Sequence, residues 1–243
     1  MILILGGTAE ARELAQQLAK AGAAAQVSLA GVVSQPETYA LPTRVGGFGG
    51  DAGFAEYLDQ ASISAVIDAT HPFAARITER TARICQTKGV PCLRLDRPAW
   101  QPADTDRWTD VATPDDLTDL IPQTARIFLA VGRKDIAQYH TLYDRLVVIR
   151  SVDPVADLPP AWTSVLGKPP FPLQEEVALF QSHQIDWLVT KNAGGAASVT
   201  KLIAARHLNL PVAMIARPPL PKGIETRETV EEALIWALRH ASP

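Results

Sequence analysis

Residues 2–5 read Ile-Leu-Ile-Leu and run straight into Gly6-Gly7, after which residues 9–20 (AEARELAQQLAK) carry helical periodicity. A four-residue run with no polar member suits a strand covered on both faces, as in a parallel sheet. Ala11, Leu14, Ala15 and Leu18 fall on one face of the helix that follows, and Gly22 can end it. The unit then repeats. Strands are expected in the region 26–35, at 64–70 and at 91–95, with helices at 51–60 and 73–89. After a polar, proline-bearing stretch from Asp96 to Pro114 the pattern restarts with strands at 125–131, 145–151, 186–190 and 211–216 and helices at 173–183, 196–208 and 228–240. This alternation defines an α/β chain with right-handed crossovers. The long break divides it into two small Rossmann-like, doubly wound parallel-sheet domains, 1–110 and 111–243, with elements that can be exchanged between them and the active site expected in the cleft they form.

Between 154 and 172 six of nineteen residues are proline, so an irregular, stiff segment is expected there, serving either as a connector or as a wall of a binding site. The 243 residues suffice for a full hydrophobic core. A net charge of −3 argues against a general attraction to nucleic acid or to an anionic membrane. No stretch is long and apolar enough to span a bilayer, and the four apolar residues after Met1 are too few for a signal peptide, so a cytoplasmic protein is expected. Cys85 and Cys92 have neither metal-ligand nor disulfide-framework spacing, and His71 has no second ligand at metal spacing, so no metal site is expected. Nothing here demands a partner chain, and a monomer is compatible with it.

In open α/β sheets ligands collect at the carboxyl ends of the strands. After the first strand come Gly6, Gly7, Thr8, Ala9, Glu10 and Ala11. Against the dinucleotide pattern G-x-G-x-x-G/A, Gly6 fits the tight turn and Ala11 the close helix packing, while Thr8 replaces the middle glycine. Its hydroxyl can donate to a phosphate oxygen or cap the helix. At the end of the second strand an NAD site usually carries an acidic residue, whereas Ser34 is neutral and can donate to a 2′-phosphate; this favours NADPH over NADH, although Glu37 follows closely. Arg12 and Arg44 are candidate sources of positive charge. "GGFGG" (46–50) either lets the backbone approach a flat ligand or forms a plain turn. "DATHPFA" (68–74) places Asp68, Thr70 and His71 where the nicotinamide end of a dinucleotide would lie, with His71 serving there or as a local cap.

In the second half "GRKD" (132–135), "GKPPF" (167–171), "TKNAGG" (190–195) and "ARPP" (216–219) each join a backbone turn to a cation, namely Arg133 and Lys134, Lys168, Lys191, and Arg217, with Lys201 on the helix after Lys191. Together they suit a ligand bearing several carboxylates.

"LILGGTAEAR" (3–12), "GGFGG" with "GFAEYL" (46–58), "DATHPFA" (68–74), "VTKNAGG" (189–195) with Lys201, and "PVAMIARP" (211–218) appear in one order across nearly the whole chain, which thereby resembles the precorrin-6A reductase family of cobalamin biosynthesis. The resemblance implies an NADPH-dependent reductase that delivers hydride to a C=C bond of the polycarboxylated macrocycle precorrin-6A, giving precorrin-6B. It further implies that Gly6, Gly7, Thr8, Glu10 and Arg12 hold the pyrophosphate region, Ser34 the 2′-phosphate, and Thr70 and His71 the nicotinamide. Lys191, Asn192, Lys201 and Arg217 would take the macrocycle. If a side chain supplies a proton, His71 is first in line and Lys191 second. "AVGRKD" (130–135) departs from the smaller polar residues common at that place in the family.

Three other readings compete. A short-chain dehydrogenase needs Tyr-x-x-x-Lys, and Tyr39, Tyr57, Tyr139 and Tyr143 are followed four positions on by Thr43, Ala61, Tyr143 and Val147. A methyltransferase would want an acid in place of Ser34. An NADP-binding sensor would bind the nucleotide without turning over a macrocycle.

Overall fold

The computed structural model describes residues 1–31, 38–167 and 170–241. The chain begins with β1 (Ile2–Leu5), α1 (Ala9–Lys20), β2 (Ala25–Leu29), β3 (Thr43–Val45), α2 (Gly50–Gln60), β4 (Ala65–Asp68), α3 (Ala75–Lys88) and β5 (Cys92–Leu95). All four β1 side chains are buried. They alternate between two cores: Ile2 and Ile4 pack with Leu14 and Leu18 of α1, and Leu3 and Leu5 with Phe54 and Leu58 of α2 and Ile84 of α3. Being covered on both faces explains why this strand contains no polar residue.

The second unit starts sooner than the expected boundary at residue 110: it comprises Ala99–Arg217. It contains β6 (Arg107–Val111), the short α4 (Leu117–Leu120), β7 (Ile127–Ala130), a 3-10 segment Arg133–Leu142, β8 (Val147–Ser151), β9 (Trp162–Leu166), α5 (Leu173–Ser182), β10 (Trp187–Lys191), α6 (Thr200–His207) and β11 (Pro211–Ile215). The proline-rich stretch is thus not wholly irregular, because β9 lies inside it and pairs with β8 from Val147↔Trp162 to Ser151↔Leu166. As an edge strand, β9 has one free side, and prolines before and after it break no ladder bond.

At Pro218 the chain returns to the first unit, adding β12 (Glu225–Arg227) beside β5 and α7 (Val230–His240) over the core of α1. Residues 218–241 thus pack with the first unit, an exchange of an element between the units of the kind the sequence-based division allowed. The reason is packing: Ala233, Trp236 and Ala237 of α7 fill the face of the first sheet that also receives α1. Both sheets are parallel, with orders β12-β5-β4-β1-β2-β3 and β6-β11-β10-β7-β8-β9. Each is the doubly wound order in which the direction of winding reverses at one place: between β1 and β4 in the first sheet, and between β7 and β10 in the second. The sixth strand of the first unit comes from the chain's end. In the second unit it precedes the other five.

Candidate functional site

In the first unit the loops after β1 and β4 meet at this reversal. At Gly6 a Cβ would lie 3.0 Å from Val27 Cγ1 and 3.1 Å from Tyr39 Oη, so any larger residue would press on both side chains. Gly7 has φ +124°, which favours glycine, and open space where its side chain would be. Its N–H donates to Tyr39 Oη at 3.0 Å. Thr8 is the N-cap of α1, and its Oγ1 accepts the Ala11 N–H at 3.1 Å. The same hydroxyl donates to the Ala69 carbonyl at 2.8 Å. The one hydroxyl proton is thus committed to the neighbouring loop, and of the two roles open to Thr8 the structure selects the cap. The Arg12 N–H also bonds back to the Thr8 carbonyl. This leaves Ala9 and Glu10 as the first-turn N–H groups without an intrahelical acceptor, at the positive end of a twelve-residue helix.

Glu10 brings a negative charge to that end, and Arg97 offsets it with an Nη1–Oε2 contact of 2.6 Å. Arg12 is half-buried on α1. Arg44 faces inward: it donates to Ser28 Oγ and to the Gly46 and Gly47 carbonyls, and lies 4.1 Å from the Phe48 ring centroid. Its guanidinium shapes the glycine-rich loop, the reading of that loop as a supported turn. Ser34 and Glu37 lie outside the described residues, as does Lys168.

Beyond β4 a fully buried ion pair supports the Thr70 loop. Asp68 and Arg94 are register partners on adjacent strands, both inaccessible to solvent, with Arg94 Nη1 2.9 Å from Asp68 Oδ1. Asp68 Oδ1 also accepts the Thr70 N–H at 3.0 Å and the Thr70 hydroxyl at 2.6 Å, while Oδ2 accepts the Thr78 hydroxyl at 2.6 Å. Arg94 Nη1 in turn donates to Thr70 Oγ1 at 3.1 Å. One residue on, His71 is exposed, and its Nδ1 accepts the Phe73 N–H at 3.2 Å. In the neutral ring the proton then sits on Nε2. Nearby, the Cys92 thiol is pushed far up by its hydrogen bond with Cys85 and by burial, so it stays protonated and unreactive.

In the second unit Lys191 ends β10 at the corresponding reversal, where its Nζ lies 2.6 Å from Asp135 Oδ2. The Asn192 side chain acts as a two-pronged clamp on the backbone of Trp100: its Oδ1 accepts the Trp100 N–H at 2.8 Å and its Nδ2 donates to the Trp100 carbonyl at 3.0 Å. Arg217 donates to the carbonyls of Asn192 and Ala193, at 2.8 and 3.2 Å. The Trp100 indole N–H closes the loop on the Gly195 carbonyl. Lys201 is buried at 6% exposure beneath this loop, donating to the Ser198 carbonyl, with its ammonium 4.9 Å from the Trp100 ring centroid. Burial, assisted by the positive charge of Arg150 and opposed by Glu176, pushes its pKa down to about 7. Arg150 and Glu176 are themselves joined by two hydrogen bonds of 3.0 and 2.8 Å.

Of the residues expected at the site, Gly6, Gly7, Thr8, Glu10 and Thr70 gather around the first reversal, while Lys191, Asn192, Lys201 and Arg217 gather around the second. The side chains of Arg133 and Lys134 lie outside what the structure describes. Sequence reasoning missed Arg94, Arg97, Tyr39, Trp100 and Asp135. A usable signal existed for Arg94, a lone charge inside the apolar strand "CLRL". The others are set by contacts across 32 to 92 residues.

Two doubly wound α/β units, one with a glycine turn at a helix N-terminus, define a protein of the Rossmann-like α/β class. The profile of the family "Precorrin-6x reductase CbiJ/CobK" matches residues 1–238. A precorrin-6A reductase from Rhodococcus erythropolis is 44% identical over 238 residues, covering 97% of this chain and 96% of the relative. A cobalt-precorrin-6A reductase from Priestia megaterium is 27% identical, covering 97% and 98%. Among solved structures, a CobK precorrin-6A reductase superposes with a TM-score of 0.92 at 41% identity, covering 100% of this chain and 98% of the other. The chain belongs to the CbiJ/CobK precorrin-6x reductase family.

Proposed function

We propose that this chain catalyses the NADPH-dependent reduction of precorrin-6A to precorrin-6B. The observation that carries the reading is the 44% identity, over almost the full length of both chains, to a precorrin-6A reductase. The lower identity of 27% to the cobalt-precorrin-6A relative favours the metal-free macrocycle as substrate. The first unit fits a dinucleotide: open space lies over Gly7, and the Ala9 and Glu10 N–H groups, backed by the dipole of α1, suit a pyrophosphate. Arg97 keeps Glu10 from repelling it.

Gly6, Gly7, Thr8, Glu10 and Arg12 are assigned to the pyrophosphate region, Ser34 to the 2′-phosphate, and Thr70 and His71 to the nicotinamide. Thr8 acts through the shape of the loop. The nucleotide, when bound, supplies hydride. Reduction of a C=C bond also consumes a proton, for which His71 Nε2 is the first candidate and the Lys191 ammonium, paired with Asp135, the second. Lys191, Lys201 and Arg217 are assigned to the carboxylates of the macrocycle, with Asn192 holding Trp100 in place beside them.

Incubating the purified chain with NADPH and precorrin-6A while following NADPH absorbance tests the reading, with absorbance loss expected. No oxidation would overturn it, and turnover of cobalt-precorrin-6A alone would reassign the substrate. Tighter binding of NADPH than of NADH is expected, and equal affinities would remove the argument from Ser34.

A further inference from the structure

Thr70 has a hydroxyl whose hydrogen bonding is almost fully specified by groups beneath it. Its single proton goes to Asp68 Oδ1 at 2.6 Å, and one of its lone pairs receives Arg94 Nη1 at 3.1 Å. Asp68 also takes the Thr70 backbone N–H, so neither donor of this residue faces outward. What remains on the partly exposed side is one lone pair. A buried Asp–Arg pair adds little stability over an apolar replacement, so its presence under a ligand loop calls for another account. Orientation supplies one. Asp68 and Arg94 are register partners on β4 and β5, and their buried ion pair, with the Thr78 hydroxyl on Asp68 Oδ2, holds both side chains against Thr70.

We infer that Asp68 and Arg94 are positioning residues that make Thr70 an obligate hydrogen-bond acceptor, selecting the amide N–H of a nicotinamide carboxamide over a group at that place that cannot donate. The inference rests on the proposed binding of NADPH at the first reversal. Its consequence is a specificity within the nicotinamide half of the cofactor. An analogue with an acetyl group in place of the carboxamide keeps the carbonyl but loses the N–H, and so leaves the Thr70 lone pair unmet.

Equilibrium binding, followed by calorimetry without turnover, tests this with three probes: NADP⁺, its 3-acetylpyridine analogue, and 2′-phospho-ADP-ribose, which lacks the ring. The unaltered chain is expected to bind NADP⁺ about fivefold to tenfold more tightly than the analogue, the usual worth of one hydrogen bond. Thr70→Ala removes that preference, Thr70→Ser keeps it, and neither changes affinity for 2′-phospho-ADP-ribose. Asp68→Ala removes the acceptor, frees the Thr70 proton and abolishes the preference too, again sparing 2′-phospho-ADP-ribose. A preference that survives Thr70→Ala, or survives Asp68→Ala in a chain that still binds 2′-phospho-ADP-ribose, overturns the inference. Should Asp68→Ala abolish binding of all three probes through loss of the fold, the Thr70→Ala and Thr70→Ser pair decides the matter. Binding of 2′-phospho-ADP-ribose with no discrimination between NADP⁺ and the analogue overturns the inference alone. Failure of the unaltered chain to bind any of the three overturns the proposed cofactor as well.

Discussion

Thr8 shows how much of a single residue's role depends on where one proton goes. As the substitute for a glycine it had two uses, phosphate donor and helix cap, and its hydroxyl bonds Ala11 on its own helix and Ala69 on the facing loop. It is 7% exposed, so removing the hydroxyl strands a buried carbonyl and uncaps α1 together. Thr8→Val is expected to cost about 1–2 kcal/mol of folding stability, read from urea unfolding, with Thr8→Ser within a few tenths of the original. An unchanged midpoint for Thr8→Val would show that the cap contributes nothing. The hydroxyl was legible in the sequence as a functional group; its direction was not, because the acceptor lies 61 residues away.

Among the elements, helices and interior strands could be read from the sequence because their periodicity is local. The buried positions of α1 are the four expected from spacing alone. Edge strands were not legible. β3, β6 and β12 read TRV, RWTDV and ETR, with mostly exposed or half-buried side chains, and carry no apolar run to distinguish them from loop. α6 brings a different matter, the burial of Lys201 among Trp100, Arg150 and Glu176. With a folded pKa of about 7 against an ordinary 10.5, the unfolded chain holds a proton through this window that the folded chain has shed. Stability from this group is therefore full above the ordinary value and is lost as pH falls toward 7. Lys201→Met should accordingly gain more in melting temperature, relative to the unaltered chain, at a pH of about 6 than at about 10. A difference that does not vary with pH would place the ammonium in solvent.

For the molecule as a whole, the feature the sequence pattern left open is which element is exchanged, and it is the chain's return to its first unit at Pro218. The break in pattern near residue 110 suggested one division, but the units part at Pro98 and rejoin at Pro218, two prolines outside any ladder. Helix α7 consequently stabilises the unit that carries the glycine turn. Trp236 is 5% exposed in that core and donates to Glu225 of β12 at 2.9 Å. Trp236→Ala is expected to cost about 3 kcal/mol, and NADPH at about 100 times its dissociation constant to restore about 2.7 kcal/mol by mass action. Denaturant unfolding with and without NADPH measures both. A loss that NADPH leaves unrelieved would separate α7 from the nucleotide site.

By itself the sequence determined the α/β class, most interior elements, the glycine turn before α1 and the set of cations in the second half, since each is read from local patterns or from residue identity alone. Only the tertiary structure decided which strand completes each sheet, that Thr8 caps instead of facing outward, that Asn192 holds Trp100, and that Arg94 lies under Thr70. Those outcomes depend on strand register and on partners far apart in the chain. Parallel pairing joined by crossovers routinely brings such partners together, and no local periodicity records it.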